Sequence, residues 1–120
     1  MRFILLLFLT FTSIFAETSY EKGKYLYISN ACYACHGHKL EGIHRYPHLA
    51  NRAKGYMSYK LKHFREHKAD TQQQEMMIDF TLGLSDDDID DLTTYFRDYI
   101  DVEIAESYDD SYETHGDGGS

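Results

Sequence analysis

The sequence is short of positive charge, cysteine, proline and long apolar runs, and each shortage narrows what its 120 residues can be. Twelve Lys/Arg against twenty Asp/Glu leave a formal charge of −8, which argues against a nucleic-acid partner, since a phosphate backbone needs a basic face. Two cysteines permit at most one disulfide, and the one proline, Pro47, falls in a stretch rich in glycine and histidine. There is no internal repeat, and no alternating apolar run is long enough to propose a sheet, so the expected class is all-α. The one sustained apolar stretch follows Arg2 and ends at Ala16; it is too short and wrongly flanked to span a bilayer. Residues 1–16 therefore read as a secretory signal, with a mature chain starting near Glu17, no cysteine near the cut to take a lipid, and no stable membrane insertion afterwards. What remains is the size of one domain.

Losing Arg2 and no acid takes the charge from −8 to −9, and the rest is unevenly spread. Residues 39–68 carry eight Lys/Arg against Glu41 and Glu66, whereas residues 70–120 carry sixteen Asp/Glu against Arg97. Such a dipole can orient a protein as it meets a partner, although a solvated face is the commoner meaning of a charge run.

Helical patterning recurs along the chain. Residues 19–30 read as a helix interrupted by Gly23, which in such a place marks close packing. Residues 37–55 read mostly as loop. Residues 56–68 place Tyr56, Tyr59, Leu61 and Phe64 near helical spacing, and a polar stretch, residues 69–75, leads into Met76 and Met77. The clearest signal starts at Ser85, an N-cap followed by three aspartates where the helix dipole favours anions; Ile89, Leu92, Tyr95, Phe96 and Tyr99 then share one face to about Asp101. Residues 104–120 are acidic, with Gly and Ser and almost no aliphatic side chains, and are expected to form a disordered tail. The domain should span residues 17–103.

Both cysteines fall in Cys32-Tyr33-Ala34-Cys35-His36, the spacing of a c-type haem attachment site. Two thiols three residues apart can each add to one vinyl group, and the next histidine can reach the iron. A thioredoxin-like pair, half a zinc site and a plain disulfide are the rivals. They want, respectively, a βαβ setting, two more paired ligands, and a strained two-residue bridge that leaves His36 unexplained. The distal iron position decides between an electron carrier and a gas-binding centre, and the candidates are Met76, Met77 and, for a bis-histidine site, His48, His63 or His67. His63 and His67, four apart, otherwise read as surface residues.

Further pieces follow in order: Gly37 after the motif, Tyr46-Pro47-His48-Leu49-Ala50, Tyr56 with Leu61 and Phe64, then Leu84-Ser85-Asp86 with Asp88-Ile89 and Tyr95-Phe96. Over residues 19–101 the chain resembles a class I cytochrome c of the small soluble bacterial type. That resemblance implies three to four helices wrapped around one haem c, attached by thioethers through Cys32 and Cys35, with His36 as proximal ligand. It also implies that the carbonyl of Pro47 meets the other ring nitrogen of His36, that Gly23 lets the first helix cross the last near Tyr95, and that Met77 rather than Met76 is the distal ligand. The implied function is a periplasmic one-electron carrier between a redox donor and acceptor, a monomer or a subunit of a redox complex, and not an enzyme. A haem protein with an open or bis-histidine distal site, and a thiol protein using Cys32 and Cys35, are the alternatives. The basic stretch from Lys39 to Lys68 is expected to rim the haem edge and steer acidic partners.

Overall fold

Thr18 starts the first helix, α1 (Ser19–Ser29): its side chain accepts from Glu21 N while the Glu21 side chain accepts from Thr18 N, so two otherwise orphaned donors are satisfied. Ala31, at φ +54°, reverses the chain into the single turn α2 (Tyr33–His36). After a loop with no regular structure come α3 (Lys54–Arg65), α4 (Gln72–Thr81) and α5 (Asp86–Arg97). The computed structural model describes residues 14–103; most of the expected leader, residues 1–13, and the expected tail, residues 104–120, lie outside the described residues. Among the described residues there is no strand, and the fold is all-α. None of the helices is long and apolar enough to cross a membrane.

Helix α5 packs more extensively on α1 than any other two helices pack together. The crossing point is Gly23, where an added Cβ would overlap the carbonyl of Asp91 and lie 2.7 Å from Cβ of Tyr95. Aromatic rings close the contact: Tyr20 and Tyr95 meet edge to face at 5.0 Å, and Tyr27 lies 5.6 Å from Tyr95 and 5.9 Å from Phe96. The core continues through Leu40 and Leu49 of the loop and Met57 and Leu61 of α3 to Leu84, Ile89 and Leu92.

Three elements differ from their sequence patterns. The polar stretch before Met76 belongs to α4, because Thr71 caps Gln74 N and the Gln74 side chain reaches back to Asp70 N. Helix α5 stops at Arg97, short of Asp101, with carbonyls at its end taken by Asn51 rather than by a further turn. On α3 the buried face is Met57, Leu61 and Phe64, whereas Tyr56 and Tyr59 are 52% and 61% exposed. Four residues separate Met57 from Leu61 and three separate Leu61 from Phe64, so these three share a stripe that the tyrosines leave.

Candidate haem site

The site is built on α2. Cys32 N donates to Tyr27 O at 3.0 Å, fixing the motif to the end of α1, and His36 N donates to Cys32 O at 3.0 Å, closing one helical turn. In that turn Cys32 and Cys35 are three residues apart, hence on one side of the turn, with His36 beside them. Both thiols are free and half-buried. The Tyr27 hydroxyl donates to Gly37 O at 2.6 Å, so the far end of the motif is held by α1 as well. Gly37, at φ +87°, turns the chain out of the motif with a backbone that side-chain-bearing residues rarely adopt.

His36 is buried, and its Nδ1 lies 2.8 Å from the carbonyl oxygen of Pro47. A carbonyl only accepts, so Nδ1 carries the proton and Nε2 keeps the lone pair a metal needs. Burial pushes the His36 pKa down, and the Pro47 hydrogen bond opposes this in part; the net effect favours the neutral, ligating ring. Burial has the opposite sign for Cys32, whose thiol is pushed up to about 11. A reactive exchange cysteine needs a stabilised thiolate and therefore a lowered pKa. The raised value does not favour an exchange role for Cys32, and the helical setting has no βαβ unit among the described residues.

Gly42 is a site residue that its sequence position does not announce. Its N–H donates to His36 O at 2.8 Å, and its own backbone, at φ +77°, lies against the Pro47 loop. An added Cβ there would sit 2.5 Å from Tyr46 O, 2.8 Å from His48 N and 3.0 Å from the Pro47 carbonyl carbon. One glycine thus keeps the two ends of the His36–Pro47 contact together.

A cleft of about 890 Å³ opens between residues 44–46 and the first half of α4, lined by Tyr46, Gln73 and Met76 among others. Tyr46 joins it to His36, the two rings lying edge to face with centroids 6.5 Å apart, and Gln73 bridges to Arg45 O at 3.2 Å. The two methionines divide: Met76 lines the cleft and is half exposed, whereas Met77 packs against the core. His48 is exposed. His63 stacks on Tyr59 at 5.6 Å and reaches Asp70 at 3.4 Å, while His67, at φ +61°, lies beyond the end of α3. No group of three His, Cys, Asp or Glu among the described residues is placed to hold a metal by itself. The donor set of two thiols and one neutral imidazole on a single turn fits haem c.

These observations agree with the comparisons. A family model for cytochrome c matches residues 20–99, and the chain belongs to the cytochrome c family, with the haem electron-carrier role that membership brings. Among curated proteins it is similar to cytochrome c-554(548) of Halomonas halodenitrificans, at 32% identity over 66 residues, which cover 54% of this chain and 80% of that relative.

The basic stretch is largely engaged within the molecule. Lys39 pairs with Asp101 and Glu103, Lys54 with Asp90, Lys60 with Asp70, Arg65 with Asp86 and Lys68 with Glu66. Arg52 instead lies over the ring of Tyr56 at 5.5 Å, and Arg45 lines the cleft.

Proposed function

We propose that the chain is an exported, periplasmic monohaem cytochrome c that carries one electron at a time between a donor and an acceptor among larger redox proteins, without an enzymatic activity of its own. The observation that carries this reading is the single turn holding Cys32, Cys35 and a buried His36 whose Nδ1 is committed to Pro47 at 2.8 Å. Haem c bound there supplies one-electron exchange between ferrous and ferric iron. Cys32 and Cys35 would hold it through thioethers to its two vinyl groups. His36 offers Nε2 as the proximal ligand, and Pro47 keeps its ring from turning and raises its basicity. Met77 would be the distal ligand: it is partly buried and packs against the core, whereas Met76 is half exposed and lines the outer cleft. Leu49, Met57 and Leu61 are buried in the core that Met77 packs against, and an apolar setting with a thioether ligand favours the reduced state.

The test is the optical spectrum of the mature protein made in a host with haem-attachment machinery. The expected result is a weak far-red ferric band from sulfur on iron, no response of the ferrous protein to carbon monoxide, and loss of that band in Met77→Ala but not in Met76→Ala. Carbon monoxide binding to the wild-type protein would instead support an open distal site.

A further inference from the structure

Four residues after Pro47, Asn51 ties the His36 loop to the end of α5. Its backbone N–H donates to Phe96 O at 2.7 Å, and its side-chain Nδ2 donates to Arg97 O at 3.1 Å and Tyr99 O at 2.9 Å. Phe96 and Arg97 are the last residues of α5, which has no further turn to satisfy their carbonyls, and Tyr99 lies two residues beyond. Asn51 reaches them because it is in the left-handed region, at φ +59°, which asparagine tolerates better than other residues with a side chain. On the other side of Asn51 the loop is pinned again, with Leu49 N and Ala50 N both donating to Leu40 O, at 2.8 and 3.2 Å. Residues 49–51 are thus held between Leu40 and α5, immediately after the Pro47-His48 segment whose Pro47 carbonyl orients His36.

We infer that Asn51 is a positioning residue for the proximal histidine: by clamping the end of α5 it sets the position of the Pro47 carbonyl, hence the strength of the His36 hydrogen bond and the donor strength of Nε2. This rests on the haem-carrier reading. A firmly held carbonyl makes the imidazole a better donor and favours ferric iron. Releasing the clamp weakens the bond, and the reduction potential rises.

The experiment compares Asn51→Gly with Ser85→Ala in the assembled, haem-bearing protein. Glycine keeps the left-handed backbone and its N–H but removes both Nδ2 bonds, so the variant folds. Ser85→Ala removes the N-cap at the opposite end of α5 and serves as the control for general loss of stability. Two readouts are taken, solvent exchange of the His36 Nδ1 proton by NMR and the reduction potential. In Asn51→Gly the exchange accelerates up to about thirtyfold, the scale of two lost neutral hydrogen bonds, and the potential rises. In Ser85→Ala neither changes by a comparable amount. Asn51→Asp turns an acceptor onto the same carbonyls and shifts both readouts in the same direction as glycine. Equal acceleration in the glycine variant and the Ser85 control, or no change in the glycine variant, overturns the inference. A wild-type chain that carries no covalent haem overturns the carrier reading instead, a result seen in its spectrum before any variant is made.

Discussion

His36 is held by backbone more than by side chains: its own carbonyl accepts from Gly42, and its ring meets the Pro47 carbonyl that Gly42 packs against. Gly42→Ala therefore fails twice, by straining a backbone at φ +77° and by driving a methyl group into the 46–48 peptides. The expected loss is about 1–3 kcal/mol from strain alone, seen as a lower unfolding midpoint together with a shifted potential. An alanine variant equal to wild type in both would remove Gly42 from the site. The sequence exposes Cys32, Cys35 and His36 because the attachment motif proposed for them has a fixed spacing within five residues. Pro47 was reached only through resemblance to a family. Gly42 and Asn51 were not legible as site residues, since a glycine in a loop and an asparagine near a helix start have no meaning until the φ angles and the distant carbonyls are known.

At the scale of elements, the α1–α5 crossing depends on the absence of a side chain at one position. Gly23→Ala must push the helices apart against Asp91 and Tyr95 and is expected to cost about 1–3 kcal/mol, measured by denaturant unfolding; an unchanged midpoint would contradict the close approach. The Arg65–Asp86 pair joins the end of α3 to the start of α5, and the hydrogen bond from Arg65, with its charge, holds the Asp86 carboxyl below its ordinary value of 3.8. The unfolded chain thus binds more protons in that range, so the contribution of the pair is complete above 3.8 and is lost as pH falls through the lower folded value. Asp86→Asn is expected to flatten the acid loss of stability below 3.8 in denaturant titrations at several pH values, and the same slope in both proteins would refute this. Helices α1, α3 and α5 were readable from apolar periodicity and, for α5, from its cap. Helix α4 was not, because its exposed glutamines give no apolar stripe at the start, and the Thr71 cap before them is the only local sign. The apolar period runs on to Tyr99 past the end of α5, where the backbone has already turned to Asn51.

Across the whole molecule the charge asymmetry reads differently in three dimensions. A run of basic residues suggested a steering rim, but five of its eight cations pair with acids of the same chain, several of them on α5 or just beyond it. Four of these cations pair across to the acidic segment that folding brings beside the basic stretch. A sequence cannot distinguish this from a docking face, because pairing depends on which helices become neighbours. Electron transfer to an acidic partner is accordingly expected to slow only modestly between low and physiological ionic strength, within about tenfold, in stopped-flow measurements. A much steeper decline would restore the steering role of the basic stretch. The covalent haem centre is the claim on which the rest depends. It is tested most directly by the intact mass of the purified protein after acid-acetone extraction. A chain beginning near Glu17 is expected to retain one haem and to lose it when Cys32 and Cys35 are both replaced by alanine; a wild-type chain stripped of haem by the extraction would overturn the covalent haem centre.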